Sequence, residues 1–480
     1  MLNRLFCWLL RRPPLAPQRN VADEKALPAA FEMLNQQAPL RQEASATQTP
    51  AVNPEHAHNL KHAHNIGAAI ICREAVLNRQ QKIAGYQFML QNAAHAHIRP
   101  QSRRILHLYT EVLVQNIAQA NIGQLLGHRI AFIETPDSFL GHPVLKLLPA
   151  ANTCFIIKPI EGSDAPPATE LVKNIRTLRA MGYRIGIPDP VEIPEYFHLI
   201  GEIDVVCLQG PHVDIEHGMK LVRHILKIAP QAALLARDLP AMEDFDFCFK
   251  IGTTLFQGPF ITSRESWTKQ NLGPNYSHLA MLLNKLRQDA DTPEIVALLK
   301  QDGAITLRLL RYINSAATGL REHVASIERA LILLGREPLR RWLALMLCAS
   351  NRNQPRAGAV LEAALVRART MELIATQRPP LEREAMFLTG LLSLIDVILQ
   401  QPLDHALESL NIDTAIRDAI LDSTGPYAST LALAKACEHM DVSSIVSIAA
   451  ACGVDPEQAS IWYMDALAWT LTLQQEEDSD

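Results

Sequence analysis

The feature that limits the fold most strongly is a change of hydrophobic pattern near Pro274. From about residue 66 to residue 262, short apolar runs of strand length alternate with longer stretches of helical periodicity. Strands that alternate with helices are typical of a mostly parallel sheet. So many repeats within about 200 residues favour a closed barrel over an open, doubly wound sheet. Because only helical patterns follow Pro274, we predict a β/α (TIM-type) barrel followed by an all-α domain.

The barrel is predicted to begin with an antiparallel pair of strands. Apolar runs at 66–72 and 82–90 flank the polar turn Asn78-Arg79-Gln80-Gln81, which is typical of a hairpin. No Gly-rich phosphate loop follows the first strand, which disfavours a Rossmann domain. Further strands are predicted at 129–133, 154–157, 183–187, 205–208, 232–235 and 254–257, and helices at 102–120, 138–147, 168–181 and 217–228.

The helical part has one segment that is apolar almost throughout. Seven apolar side chains between 385 and 399 fall at helical spacing, bounded by Pro379-Pro380 and Pro402. This pattern predicts one continuous core helix. An earlier helix carries Ile327, Ala330, Leu331 and Leu334 on one face and ends at Gly335, a residue typical of helix C-caps.

The composition divides the chain into four predicted parts. They are a flexible Ala, Gln, Pro and His-rich leader at 1–65, the barrel at 66–265, the helical domain at 270–473 and an acidic tail at 474–480. In the leader, His58 and His62 have the i, i+4 spacing that can hold a metal on a helix. Since no carboxylate or cysteine ligand follows, we interpret this tract as solvated and predict neither a metal site nor a cofactor.

Charge and residue usage exclude several classes of protein. The net charge is −5 and only 5% of residues are aromatic, so no nucleic acid partner is expected. The eight cysteines include no Cys-x-x-Cys pair, which indicates buried thiols in a reducing compartment. No apolar run approaches the ~18 residues of a membrane span. We therefore predict a cytoplasmic protein, while a short amphipathic anchor at Leu5-Phe6-Cys7-Trp8-Leu9-Leu10 stays open.

Several phrases resemble a family of bacterial signalling proteins in which an EAL barrel precedes an HDOD domain. These phrases are, in chain order, Cys72-Arg73-Glu74, Gly85-Tyr86-Gln87-Phe88-Met89-Leu90-Gln91, Gly182 to Asp189, Phe256-Gln257-Gly258-Pro259-Phe260, Leu309 to Ser315, Ser326 to Gly335 and Phe387 to Asp396. The first four resemble EAL segments and the last three resemble the HDOD signature. The likeness covers roughly residues 66 to 473.

The resemblance implies a site at the carboxyl ends of the barrel strands. EAL domains hydrolyse cyclic di-GMP with two cations held by carboxylates. In this chain the signature glutamate position is Gln87, the lysine that orients water corresponds to Cys207, and several carboxylate positions are occupied by other residues. The candidate ligand-binding residues of this altered pocket are Glu134, Lys158, Glu161, Asp189, Gln209, Arg237 and Gln257.

The helical domain has lost the matching metal pair as well. Where the related HD phosphohydrolases carry His-Asp, this chain reads Ser393-Leu394, and a hydroxyl and a leucine cannot replace an imidazole and a carboxylate on a cation. The resemblance therefore implies a degenerate EAL domain with no catalytic residue and no metal.

Our main hypothesis is a non-catalytic signal-transduction protein rather than an enzyme. It acts through protein–protein interaction, with signalling proteins as partners of the HDOD domain and self-association left open. One alternative is a receptor that binds cyclic di-GMP without hydrolysis, and another is a residual cyclic di-GMP phosphodiesterase. An RNA-linked regulator is a further alternative, against which the net charge argues.

Overall fold

The computed structural model describes most of the chain after residue 70. The described ranges are 71–90, 103–119, 126–159, 166–189, 194–209, 215–268, 273–314, 324–350, 356–376, 378–410, 412–439 and 442–478. The predicted leader, its histidine tract, the apolar N-terminal segment and Glu161 lie outside these ranges.

Eight strands form a closed barrel in sequential order, which confirms the predicted fold class. The strands are β1 (Ile71–Asn78), β2 (Ile83–Leu90), β3 (Ile130–Pro136), β4 (Thr153–Lys158), β5 (Arg184–Ile187), β6 (Val205–Gln209), β7 (Ala233–Arg237) and β8 (Leu255–Gln257). Strand β1 is antiparallel to both β2 and β8, so the predicted antiparallel pairing is confirmed, but the first strand spans Ile71–Asn78 and the prediction of 66–72 is wrong for it. All other neighbours are parallel.

Alternation along the strands divides side chains between the barrel interior and its outer surface. Phe132, Cys154, Val205 and Leu235 belong to one buried cluster that fills the interior. Their neighbours in sequence face outward and pack against helices α1 (Arg103–Gln119), α2 (Ala168–Ala180), α3 (Ile215–Ile228) and α4 (Met242–Ile251).

The helix predicted at 138–147 does not form. Two short 3-10 turns, Asp137–Phe139 and Pro143–Leu147, take its place. His142 precedes a proline and adopts φ −72° and ψ 132°, because the proline ring disfavours helical conformation in the residue before it.

Helices alone follow the barrel in the described part of the chain. They are α5 (Gly273–Arg287), α6 (Thr292–Gln301), α7 (Gly303–Ile313), α8 (Ile327–Leu334), α9 (Arg336–Ala349), α10 (Ala357–Ile374), α11 (Pro380–Leu392), α12 (Ile395–Leu399), α13 (Leu403–Leu410), α14 (Thr414–Leu421), α15 (Ala428–His439), α16 (Val442–Ala451) and α17 (Pro456–Asp478). None of these described helices, nor those of the barrel, is long and apolar enough to cross a lipid bilayer.

The prediction of one continuous helix over 385–399 is wrong. The segment breaks between α11 and α12, where Leu394 leaves helical conformation at φ −121° and ψ 19°. Ser393 stabilises the break, because its hydroxyl donates to the carbonyl of Gly390 at 2.7 Å. Hydrophobic periodicity continues across this turn, so it could not report the interruption.

The helical part packs directly on the barrel. Arg73 on β1 forms an ion pair of 2.5 Å with Glu362 on α10, and both side chains are buried. The hydroxyl of Tyr86 on β2 donates to the same carboxylate at 2.8 Å. Leu467 and Leu471 of α17 join the apolar cluster outside the barrel strands. The chain therefore crosses back to the barrel at its last described helix.

Candidate functional site

The carboxyl ends of the parallel strands form one mouth of the barrel, the position that carries active sites in β/α barrels. Five of the seven predicted site residues lie in the strand ends at this mouth. Glu134 is near the end of β3, and the last residues of β4, β6, β7 and β8 are Lys158, Gln209, Arg237 and Gln257. Pairing of Cα positions places Gln209 directly beside Arg237.

The two remaining predicted residues are Asp189 and Glu161. Asp189 lies two residues after the end of β5 and is only 6% exposed. Glu161 is outside the described residues, so its place in the site stays a prediction.

Glu134 is the centre of charge at the mouth. One carboxylate oxygen lies 2.7 Å from Nη2 of Arg237, and the other lies 3.6 Å from Nζ of Lys158. Burial acts to raise the pKa of Glu134, but Arg237 and then Lys158 outweigh it and hold that pKa below its ordinary value. These three side chains together carry one net positive charge at neutral pH.

The side-chain amide of Gln257 connects Arg237 to Glu74 on the adjacent strand β1. Arg237 Nε donates to Oε1 of Gln257 at 3.3 Å, and Gln257 Nε2 donates to the carboxylate of Glu74. Sequence reasoning did not name Glu74 as a site residue. The alternation of side chains along β1 could have identified it, because Glu74 lies on the same side of the strand as the inward-facing Val76.

The loop after β7 is held at the rim of the mouth. Asp238 adopts φ 56°, which is uncommon for a residue with a side chain, and its carboxylate accepts a hydrogen bond from Gln209. Gly258 at φ 145° lies so close to Leu239 that a Cβ there would overlap the Leu239 backbone. The rim therefore depends on a glycine directly after Gln257.

Below the mouth, the barrel interior contains an amide without a partner. Gln87 on β2 pairs in register with Glu74 and with the inward-facing Phe132. Its side chain is 0% exposed, and neither its amide oxygen nor its amide nitrogen has a hydrogen-bond partner among the described residues. This position is the one that resembles the signature glutamate of EAL domains.

The residues at the mouth do not fit the divalent cations that the family resemblance implies. Glu134 is held by two cationic side chains, and the Asp238 carboxylate accepts from Gln209. Burial raises the pKa of the Cys207 thiol to about 12, so this inward-facing group is not a thiolate ligand. Among the described residues, no group of three or more His, Cys, Asp or Glu side chains is arranged to hold a metal.

The helical region matches a known family model. The HDOD domain model covers residues 274–415. The cyclic di-GMP phosphodiesterase CdgJ of Vibrio cholerae is 22% identical over 402 residues, which are 83% of this chain and 92% of that protein. The uncharacterized protein YuxH of Bacillus subtilis is 21% identical over 416 residues, which are 83% of this chain and 97% of that protein.

Solved EAL structures align with part of the chain. An EAL domain protein from Listeria monocytogenes EGD-e is 15% identical, covers 44% of this chain and 93% of its own, and has a TM-score of 0.34. The Bacillus subtilis YkuI protein, solved with cyclic di-GMP and calcium, is 15% identical, covers 53% of this chain and 74% of its own, and has a TM-score of 0.36.

These findings contradict the hypothesis of a non-catalytic protein that is not an enzyme, so that hypothesis is wrong. It rested on missing metal ligands, yet the relative from Vibrio cholerae that matches 83% of this chain is named a phosphodiesterase. An identity of 22% does not by itself show turnover by this chain. The expected order of folds is confirmed: a closed eight-stranded barrel is followed by helices, and the HDOD domain model matches residues 274–415 within them.

Proposed function

We propose that the mouth of the barrel binds cyclic di-GMP, the dinucleotide named for the Vibrio cholerae relative. The observation that supports this proposal is the convergence of Arg237 and Lys158 on the single carboxylate of Glu134. Two cations contact one acid, so these three side chains carry one net positive charge, while two other carboxylates of this barrel end, Glu74 and Asp238, accept from the amides of Gln257 and Gln209. A phosphodiester offers the same kind of anionic oxygens as the carboxylate, and arginine binds such oxygens with paired hydrogen bonds.

The amides at the mouth add hydrogen-bonding capacity for the rest of the ligand. Gln209 and Gln257 end β6 and β8, the strands on either side of β7, and each amide carries both a donor and an acceptor. A guanine base presents both kinds of group along its edges. Charge would therefore hold the phosphate and amides would orient the nucleotide.

Hydrolysis of cyclic di-GMP is the second candidate function. The name of the Vibrio cholerae relative favours it. Because the donor set does not fit a divalent cation, we derive no chemical step here, and turnover has to be measured directly.

The test is calorimetric titration of cyclic di-GMP into the full chain, with Mg²⁺ and Mn²⁺ present, followed by chromatography of the nucleotide. We expect saturable binding that weakens about tenfold or more in Arg237→Gln, since a phosphate-binding guanidinium is removed. Arg176→Gln is the matched control, because Arg176 pairs with Glu202 on the exposed outer surface. Appearance of the linear dinucleotide in the chromatogram would establish phosphodiesterase activity. Absence of saturable heat in the wild-type protein would refute the binding proposal.

For the helical domain, we propose that signalling proteins bind at an exposed apolar patch. Ile332 is 71% exposed and Leu333 is 41% exposed on α8, and Leu307 on the adjoining α7 is 51% exposed. Chemical cross-linking in cells of the source organism, with the wild-type protein and with Ile332→Ser, tests this proposal. We expect a cross-linked partner of the wild-type protein to be lost in the variant. Self-association, the domain limits and a cytoplasmic location stay predictions.

A further inference from the structure

A second group of charges lies around the turn between α11 and α12, and one of its members, Glu438, lines the same cavity as Glu74 and Gly258. Five side chains form this group, which we call the turn cluster. They come from the segment after the barrel (Arg264), α10 (Arg367), α12 (Asp396) and α15 (Lys435 and Glu438).

Both guanidinium groups of the turn cluster contact the same residue. Arg264 donates from Nη2 to the carbonyl of Ser393 at 3.2 Å, and Arg367 donates from Nη1 to the hydroxyl of Ser393 at 3.2 Å. Each arginine also pairs with one acid: Arg264 Nε lies 2.6 Å from Asp396 Oδ2, and Arg367 Nε lies 2.6 Å from Glu438 Oε2.

The turn cluster has one uncompensated positive charge. Its three cations face two carboxylates, and Lys435 has no hydrogen bond or ion pair to another described residue. Burial, and then repulsion from Arg367 and Arg264, lowers the pKa of the Lys435 ammonium. A partly buried cation beside two arginines is unfavourable unless an anion joins the group.

The turn cluster also holds an unused acceptor. Asp396 is 1% exposed, and its Oδ1 has no hydrogen-bond partner among the described residues. A buried carboxylate oxygen without a donor costs free energy, so a donor from outside would be stabilising here. Arg264, which pairs with Oδ2 of Asp396, has a side chain that is 48% exposed, so the turn cluster borders solvent at this arginine.

We propose that the turn cluster binds a phosphoryl group that keeps one proton, either inorganic phosphate, which keeps one at pH 7, or the monoanion of a phosphomonoester. The anionic oxygens would pair with Lys435 and Arg264, and the remaining P–OH would donate to Asp396 Oδ1. Both unusual features of the cluster are then satisfied by one ligand. A phosphodiester such as cyclic di-GMP has no P–OH, so this site is independent of the function proposed for the barrel.

The choice between phosphate and sulfate tests the proposal sharply. Both ions present tetrahedral oxygens, but at pH 7 sulfate carries no proton and can only repel Asp396. In calorimetry of the full chain in a phosphate-free buffer, we expect inorganic phosphate to bind about tenfold or more tightly than sulfate, a difference of about 1.4 kcal/mol. Glycerol 3-phosphate is the second probe, and tighter binding of it than of phosphate would assign the site to phosphomonoesters.

Variants separate binding at the turn cluster from a general effect of ions. Lys435→Gln is expected to weaken phosphate binding about tenfold, whereas Lys435→Arg is expected to retain the affinity because it retains the positive charge. Lys300→Gln is the control, since Lys300 pairs with Glu328 on an exposed surface. Asp396→Asn should abolish the preference for phosphate over sulfate, because an amide can donate to an unprotonated oxygen of either ion. Equal wild-type affinities for the two ions, no saturable phosphate binding, or an unchanged affinity in Lys435→Gln would overturn the proposal.

Discussion

Glu134 is predicted to hold back ligand binding at the barrel mouth. In the free protein its carboxylate contacts Nη2 of Arg237 at 2.7 Å and lies 3.6 Å from Nζ of Lys158. An incoming phosphate has to share these cations with an acid of the same charge sign as its own. Glu134→Gln keeps the size of the side chain, removes this repulsion and raises the net charge of the three side chains from one to two.

The size of the effect follows from the distances. A phosphate oxygen on the free side of Arg237, at a charge-assisted hydrogen-bond length, would lie about 5.5 Å from the Glu134 carboxylate. Two unit charges at that separation repel by about 3 kcal/mol at an effective dielectric constant near 20, and by less than about 1 kcal/mol in bulk water. Since Glu134 is 30% exposed, we expect an intermediate gain of about 1.4 kcal/mol, which is a tenfold lower Kd.

The assay is titration of cyclic di-GMP into the full-length wild-type protein and into Glu134→Gln. Glu202→Gln is the matched control, because Glu202 also pairs with an arginine but lies on the outer surface. Urea unfolding should show a parallel loss of about 1–2 kcal/mol in Glu134→Gln, since Arg237 is only 15% exposed and loses its ion-pair partner. An affinity that stays the same or falls in Glu134→Gln would refute the reasoning, even if the wild-type protein binds the dinucleotide.

Three further predictions concern stability. Although burial acts to raise it, Arg341 and Arg369 lower the pKa of Glu372 to about 2 from 4.5, so this acid stabilises the fold above about pH 4.5 and loses its contribution as the pH falls toward 2. Glu372→Gln should therefore cost about 3 kcal/mol in urea unfolding at pH 7 and much less at pH 3, and an equal cost at both pH values would contradict this. Gln87→Met should raise the unfolding free energy by about 1–2 kcal/mol, because it removes two buried polar atoms without partners, and a lower thermal midpoint would count against it. Gly258→Ala should cost about 3 kcal/mol through overlap with the Leu239 backbone, and a midpoint equal to that of wild type would show that the rim can relax.

Local patterns were sufficient for strands β2 to β8 of the barrel. The predicted strands agree with the observed ones within three residues at each end for β3 to β8, because buried parallel strands appear as compact apolar runs between turns. The same reasoning failed at 138–147 and at 393–394. In both places apolar spacing stays helical, while a proline in the first case and a serine hydroxyl bond in the second interrupt the helix.

Five candidate site residues lie at strand ends near the barrel mouth, a position that the sequence pattern predicts, while their role in ligand binding stays a prediction. The partners of those residues could not be predicted. Glu134 and Arg237 are 103 residues apart in sequence, and only closure of the barrel brings β3 and β7 to one end where a carboxylate and a guanidinium can meet. Glu74 was missed for the same reason, since its contact with Gln257 exists only because β8 returns to β1.

The sequence by itself determined the order of the two architectures, the alternation of strand faces and the residue types available at each strand end. These properties depend on short-range hydrophobic periodicity, which is written in neighbouring residues. Only the tertiary structure decided which charges compensate one another, and therefore which remain in excess, as Lys435 does beside Arg264 and Arg367. Electrostatic energy depends on separation and burial in space, and neither quantity can be read from positions along a chain.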